Sequence, residues 1–158
     1  MRSAISSSTA YQPPSLIGTF GSVNLAGPFL LFEAIAGMGA GGIGRIILAS
    51  SQAVYSPGEN VREGHDKNPA SVYGISKWLQ EQSFLALSKQ FDIPLIALRY
   101  SIVLGPGQSL QSSESGVIRN WHRAWQTGRL AEIYGGGKQV RDFVHIDDVV
   151  KANMTALT

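Results

Sequence analysis

A short apolar run followed by polar residues and then by a helical pattern occupies the chain between Arg45 and Lys77. Residues 45–49, RIILA, lie after glycines and before two serines, and their β-branched and leucine side chains predict a buried strand. Tyr73 and Lys77 open a segment with helical periodicity and, four residues apart, share one helix face. Open α/β sheets bind ligands at the carboxyl ends of their strands. The stretch therefore predicts a site at the end of this strand.

Serine, tyrosine and lysine together can handle the protons of a hydroxyl–carbonyl interconversion. An ammonium group near a phenol lowers the phenol's pKa, because the positive charge favours the phenolate. Taken alone, Tyr73 and Lys77 are more simply interpreted as a half-buried tyrosine and a solvated lysine on an amphipathic helix. The order of the residues favours catalysis instead. Ser51 follows the strand and precedes Tyr55 by four residues, and the tyrosine–lysine pair begins about twenty residues further on.

With this order of residues the chain resembles the extended short-chain dehydrogenase/reductases, in particular the NAD-dependent nucleotide-sugar epimerases and dehydratases. The resemblance covers nearly all of the chain, but only about the middle half of a family member. It implies an α/β fold with a partial doubly wound, Rossmann-type parallel sheet that lacks the N-terminal glycine-loop half. We expect residues 1–110 to form the C-terminal half of the NAD-binding domain, and residues 111–158 a partial substrate-binding region with a return helix.

The resemblance implies catalytic roles for Ser51, Tyr73 and Lys77. Tyr73 as phenolate takes the proton from a sugar hydroxyl while the hydride on the same carbon moves to the nicotinamide. Lys77 lowers the pKa of the tyrosine and bonds the nicotinamide ribose, and Ser51 donates to the sugar oxygen. In an epimerase the keto sugar then rotates and takes the hydride back on its other face, which leaves the cofactor unchanged.

The resemblance also implies binding residues. The expected cofactor contacts are Tyr73, Lys77, Asn24, Ser50, Tyr100 and Val103, and the expected substrate contacts are Ser51, Gln52, Ile102 and Arg141. Asn24 begins the family's Asn-x-x-Gly pattern, and Arg141 lies where the family has an arginine that grips the nucleotide diphosphate with its planar fork. Without the resemblance, Asn24 is equally well a helix cap and Arg141 is a solvated charge. Glu81, one turn past Lys77, is by default a surface ion-pair residue.

Residues near Ser51 help to choose the reaction. Sugar dehydratases carry an Asp-Glu pair directly after the catalytic residue, whereas this chain has Gln52 and Ala53, which cannot shuttle protons. An epimerase is therefore favoured, although Ile102 stands where many epimerases carry a substrate-contacting asparagine. Two alternatives stay open: an inactive remnant that serves as an interaction module, and an NADP-linked carbonyl reductase of the same superfamily.

The sequence departs from the family in its glycines. No Gly-x-x-Gly-x-x-Gly follows a strand near the start, and the glycines between positions 37 and 44 precede a strand instead. The chain also ends at Thr158, before most of the family's substrate domain. NAD is the expected cofactor, with NADP still open, and we expect the isolated chain to bind it weakly or not at all.

Composition excludes other classes of protein. A net charge of +2 with scattered Lys and Arg argues against nucleic acid as a partner. The absence of cysteine excludes a disulfide scaffold and favours a reducing compartment, and three histidines without ligand spacing predict no metal site. Pro28, Glu33 and Arg45 interrupt the apolar residues 25–49, which argues against a spanning helix. We expect a cytoplasmic enzyme, homodimeric at full length, that acts on a nucleotide sugar.

Periodicity and turn residues predict the remaining elements. These are helices over Ser22–Gly37, about Ser71–Phe91 and Val117–Thr127, strands over Pro94–Tyr100, Ala131–Tyr134 and Val140–Ile146, and a last helix capped by Asp147.

Overall fold

The computed structural model describes residues 18, 20–38, 42–108, 116–131, 133 and 135–158. Helices and strands alternate along this part of the chain, which confirms the expected α/β class. The elements are α1 (Gly27–Met38, directly after a π-helical segment, Gly21–Ala26), β1 (Ile46–Ser51), α2 (Val72–Phe91), β2 (Leu95–Tyr100), β3 (Ile102–Leu104), α3 (Gly116–Gln126), β4 (Phe143–His145) and α4 (Ile146–Leu157). Short 3-10 turns lie at Gln52–Val54 and Gly135–Gly137.

The chain forms two compact units. The first contains the described residues up to Arg99 together with Ala156–Thr158, and the second contains Tyr100–Thr155. In the first unit β1 pairs with β2, and α2 connects the two strands in the chain. In the second unit β3 and β4 pair in parallel, with Val103 opposite Val144. The domain boundary expected at residue 110 stays a prediction.

Helix α2 begins and ends as its sequence predicts. Ser71 is the N-cap, and its hydroxyl accepts the Gly74 N–H at 3.0 Å, which satisfies one of the first-turn donors. Asp92 ends the helix in the left-handed conformation (φ 53°), and its N–H reaches the Ser88 carbonyl. The predicted range of Ser71–Phe91 is confirmed.

An apolar core in the first unit fixes α2 against β1. The buried members are Phe32 and Ile35 of α1, Leu48 of β1, Phe84 of α2, and Ile93. The Phe32 and Phe84 rings meet edge to face with centroids 5.2 Å apart, a favourable aromatic geometry. The polar residues that follow Leu48 at the carboxyl end of β1 lie beside the N-terminal turns of α2, because Lys77 donates to the Ala49 carbonyl and Gly74 packs against Ala53.

Several predicted elements in the second unit are wrong or displaced. The strand expected over Val140–Ile146 is limited to Phe143–His145, and Asp147 lies in the first turn of α4 instead of capping it. Of the strand expected over Ala131–Tyr134, the described residues Ala131 and Ile133 are not in a strand and the other two lie outside the described residues. Strand β3 was not expected. Strands of three residues depend on hydrogen bonds from a distant partner, which local periodicity does not report.

None of the helices in the described ranges is long and apolar enough to cross a membrane.

Candidate active site

Ser51 is held at the carboxyl end of β1. It is half-buried and extended, and its Oγ accepts the Ala53 N–H at 3.2 Å, which caps the 3-10 turn Gln52–Val54. Val54 is fully buried and anchors this turn, and the Tyr55 N–H donates to the Gln52 carbonyl at 3.1 Å. The side chain of Gln52 is exposed beside Ser51. The predicted catalytic serine thus lies in a well-defined turn.

Gly74 brings the start of α2 against this turn. A Cβ at position 74 would lie 2.3 Å from the Ala53 carbonyl oxygen and 2.9 Å from the Pro69 Cβ. Only glycine permits so close an approach between the two backbones. As a result Tyr73, next to Gly74, lies beside the turn that Ser51 begins.

The backbone at Tyr73 is held by a chain of polar contacts that starts at Asn24. The buried Asn24 donates from Nδ2 to the Ser76 Oγ at 3.0 Å, and Ser76 donates to the Tyr73 carbonyl at 2.8 Å. The half-buried ring of Tyr73 packs against Phe20, with centroids 5.4 Å apart. Asn24 therefore joins the π-helical segment to the first two turns of α2.

Lys77 crosses from α2 to β1. Its Nζ donates to the Ala49 carbonyl at 3.1 Å and to the Gln80 Oε1 at 3.0 Å. Desolvation by burial lowers the pKa of Lys77 below the ordinary lysine value. Within the described residues these bonds use two of the three ammonium donors, so one N–H is available to a ligand hydroxyl.

A buried polar cluster next to the site was missed by the sequence reasoning. Glu81 is only 5% exposed, accepts the Ser50 hydroxyl, and pairs with Arg99 through both oxygens, at 2.9 and 2.7 Å. The Arg99 guanidinium also donates to the Tyr55 hydroxyl at 2.5 Å and lies 4.9 Å from the ring centroid. The hydrogen bond to Glu81 raises the pKa of Arg99. The expectation that Glu81 is a surface ion-pair residue is wrong, because its carboxylate is buried. Its partner, Arg99, is 18 residues away in β2, so local spacing does not reveal the pair.

The ten predicted site residues divide between the two units. The first unit holds Asn24, Ser50, Ser51, Gln52, Tyr73 and Lys77, and the second holds Tyr100, Ile102, Val103 and Arg141.

The residues of the second unit have local partners of their own. The Tyr100 hydroxyl accepts Asn153 Nδ2 at 2.6 Å, and Ile102 and Val103 lie in β3. Arg141 is exposed and donates to the Val140 carbonyl and the Gln139 Oε1, at 3.0 and 2.8 Å.

The second unit also contains an open groove of about 300 Å³. Its lining residues are Leu104, Gly105, Gly107, Gln108, Ile118, Arg119 and His122. Gly105 is required where it lies, because a Cβ there would be 2.3 Å from the Ile146 Cγ2.

In the described part of the chain, no three His, Cys, Asp or Glu side chains gather as metal ligands would.

A family model identifies the family of the chain. Residues 14–158 match the model of the NAD dependent epimerase/dehydratase family. The chain belongs to this family. The family expected from the resemblance is confirmed, whereas the roles of Ser51, Tyr73 and Lys77 stay predictions.

Curated relatives in this family are epimerases of different sugars. The chain is 36% identical to a putative UDP-glucose 4-epimerase of Methanocaldococcus jannaschii over 140 residues, which cover 87% of the chain and 45% of the relative. It is 32% identical to the dTDP-L-rhamnose 4-epimerase of Burkholderia thailandensis, covering 85% and 46% of the two chains. It is 38% identical to the ADP-L-glycero-D-manno-heptose-6-epimerase of Cupriavidus pinatubonensis, covering 70% and 35%. The chain thus spans less than half the length of these relatives.

Solved structures show the same partial fold. The UDP-N-acetylglucosamine 4-epimerase of Methanobrevibacter ruminantium superimposes with a TM-score of 0.78 at 28% identity, over 92% of this chain and 48% of that one. The UDP-glucuronic acid 4-epimerase of Bacillus cereus, solved with UDP-glucuronic acid and NAD, gives a TM-score of 0.75 at 28% identity, over 87% and 42%. The expected fold, a partial Rossmann-type α/β sheet, is confirmed.

Proposed function

We propose that this chain carries the proton-transfer site of an NAD-dependent nucleotide-sugar epimerase, with Ser51, Tyr73 and Lys77 as its catalytic residues. One observation carries the proposal: the bond from Lys77 Nζ to the Ala49 carbonyl, 3.1 Å long, holds the second turn of α2 against the carboxyl end of β1. The close approach of Gly74 to Ala53 holds the first turn in the same place. Ligands of open α/β sheets bind at this end of the strands.

Each of the three residues has a role that suits its surroundings. The Tyr73 phenolate accepts the proton of the sugar hydroxyl, and the nearby Lys77 ammonium stabilises the phenolate by its charge. Partial burial strengthens this charge effect, because the effective dielectric is lower than in water. The Oγ of Ser51 accepts the Ala53 N–H, and its own proton stays available to donate to the sugar oxygen.

The residues at this end of β1 fit the nicotinamide half of NAD. Lys77 has a donor available for a ribose hydroxyl after its bonds to Ala49 and Gln80 are made. The expected contacts from Asn24, Ser50, Tyr100 and Val103 stay predictions, as does the preference for NAD over NADP. When bound, the nicotinamide supplies a reversible hydride acceptor.

The relatives support a sugar attached to a nucleoside diphosphate as the substrate. Their names combine three nucleotides (UDP, dTDP and ADP) with different sugars, so the shared chemistry is the nucleotide diphosphate link. The exposed fork of Arg141 suits a diphosphate, because a guanidinium pairs two oxygens at once. We propose Ser51, Gln52 and Ile102 as the contacts to the sugar.

We also propose a homodimer for the full-length enzyme. Large apolar side chains are exposed on two helices of the first unit, and a second copy would cover them: Phe29, Leu30 and Leu31 on α1, and Leu79 and Leu85 on α2. The absence of cysteine supports a reducing compartment such as the cytoplasm.

The test is epimerisation of UDP-glucose, UDP-N-acetylglucosamine and UDP-glucuronic acid by the protein with added NAD, followed by proton NMR of the sugar. Removing the general base in Tyr73→Phe should lower kcat by about 10²–10⁴-fold. Lys77→Met should have a similar effect, because the phenolate loses its charge partner. Lys89→Met is the matched control, since Lys89 lies exposed in the last turn of the same helix, and it should leave kcat unchanged.

Other outcomes distinguish the alternatives. Net oxidation of added NADPH with a carbonyl substrate would favour a reductase, because an epimerase consumes no cofactor. Equal behaviour of wild type and Tyr73→Phe in every assay would support the inactive interaction module and contradict the catalytic assignment.

A further inference from the structure

Glu81 is a buried carboxylate of the first unit that the proposed proton transfers do not use. It lies in the third turn of α2 and is 5% exposed, while its partner Arg99 is 20% exposed. A buried charge is costly unless its oxygens are hydrogen-bonded, and both oxygens of Glu81 are. The buried carboxylate therefore holds the two groups that donate to it, the Ser50 hydroxyl and the Arg99 guanidinium.

The hydroxyl that Glu81 accepts belongs to Ser50, which lies between two site positions. Ala49, on one side, gives its carbonyl to Lys77, and Ser51, on the other, begins the 3-10 turn. Successive side chains of a strand point to opposite faces. The Ser50 side chain is buried and directed to Glu81, which sets Ser51 on the opposite face.

Arg99 connects the same carboxylate to the far end of the turn. Its fork is bidentate on Glu81, and its third contact is the Tyr55 hydroxyl at 2.5 Å. Tyr55 follows the turn directly and closes it through the bond from its N–H to the Gln52 carbonyl. The turn that carries Ser51 is therefore connected to Glu81 at both ends: through Ser50 before it and through Arg99 and Tyr55 after it.

We propose that Glu81 is a positioning residue, which fixes the turn after β1 through Ser50 and through Arg99 and so sets the orientation of Ser51 toward the substrate. The catalytic meaning of this role rests on the proposed function. The geometric part, that Glu81 holds the turn, does not depend on it.

Amide hydrogen exchange tests the geometric part. The N–H groups of Ala53 and Tyr55 are both bonded within the turn, to the Ser51 Oγ and the Gln52 carbonyl. In Glu81→Gln we expect exchange at these two amides to rise at least about tenfold more than exchange of the α2 amides near Phe84, because hydrogen bonds to a charged group are lost. The control is Phe84→Leu, which weakens the core one turn away. It should raise exchange by a similar factor at the two turn amides and at the α2 amides near residue 84.

A double variant separates positioning from general stability. Replacing a buried ion pair with apolar residues of similar size often restores stability, so Glu81→Met with Arg99→Met should fold. If Glu81 positions the turn, the Ala53 and Tyr55 amides exchange faster in this double variant than in the wild type. This should hold even if the free energy of unfolding returns to the wild-type value. Wild-type protection of both amides in the double variant, or a parallel change in Glu81→Gln, would overturn the proposal.

Steady-state kinetics tests whether the position of the turn matters for catalysis. With a nucleotide sugar that the wild type converts, Glu81→Gln should lower kcat about tenfold or more with little change in KM, since Ser51 acts on the reacting oxygen. Unchanged kcat in Glu81→Gln with altered turn exchange would overturn the catalytic part alone. If the wild type converts no sugar even with NAD in large excess over the weak affinity expected for this chain, the proposed function fails. The exchange experiment still decides whether Glu81 holds the turn.

Discussion

At the scale of single residues, Lys77 shows how the fold changes the chemistry of a side chain. Its position on α2 directs the ammonium to the Ala49 carbonyl, where a neutral oxygen and the Gln80 amide replace water. Neither partner carries a charge that would compensate for the lost hydration. Desolvation therefore lowers the pKa of Lys77. The serine–tyrosine–lysine pattern identifies Lys77 in the sequence. The burial that lowers the pKa of Lys77 depends on the packing of α2 against β1, which the pattern does not report.

We expect the ammonium of Lys77 to titrate below the ordinary value of 10.5. Above the folded-state pKa the unfolded chain binds more protons at this position, so the free energy of unfolding rises with pH from that pKa up to 10.5. Urea unfolding at a series of pH values measures this. The rise should be smaller in Lys77→Met and retained in Lys89→Met. An identical pH dependence in wild type and Lys77→Met would contradict the expectation.

At the scale of elements, the contact between α2 and the turn after β1 depends on Gly74. Alanine in a helix is ordinarily favoured over glycine by about 1 kcal/mol. At position 74 the added methyl would lie 2.3 Å from the Ala53 carbonyl oxygen, and overpacking costs about 1–3 kcal/mol. We expect Gly74→Ala to lower the free energy of unfolding by up to about 2 kcal/mol and to lower kcat, measured by urea unfolding and the epimerase assay.

The control for this change is Gly64→Ala, because a Cβ at position 64 meets no atom within 4 Å. It should change the free energy of unfolding by less than about 0.5 kcal/mol. A stabilising effect of Gly74→Ala would mean that the two backbones are not in close contact.

The same elements show what sequence patterns predict and what they do not. The ranges of β1, α2 and β2 were predicted to within about two residues. Each has a local signal: an apolar run for the strands and a serine cap for the helix. Strand β3 and the cluster around Glu81 were missed, because β3 depends on β4 some forty residues away and Glu81 on Arg99 in another element. The roles of the ten site residues stay predictions, since they concern ligands.

At the scale of the whole chain, the described residues supply only part of what binds NAD in a Rossmann-type fold. Tyr73 and Lys77, which we propose as contacts to the nicotinamide end, lie beside the end of β1. The pyrophosphate is ordinarily held by a glycine-rich loop at a helix N-terminus. The 158 residues contain no Gly-x-x-Gly-x-x-Gly, and the glycines between positions 37 and 44 precede a strand instead of following one. We therefore expect the nicotinamide half of NAD to contribute most of its affinity for this chain, and the half with the pyrophosphate to contribute little.

We expect isothermal titration calorimetry of the 158-residue chain to give a dissociation constant for NAD of about 1 mM or weaker. Nicotinamide mononucleotide should bind about as well as NAD, because both use the same nicotinamide end. ADP, which has the pyrophosphate but lacks the nicotinamide ribose, should give no heat. Lys77→Met should abolish the nicotinamide mononucleotide signal and Lys89→Met should preserve it. Micromolar binding of NAD, or binding of ADP, would show that other residues of this chain hold the pyrophosphate.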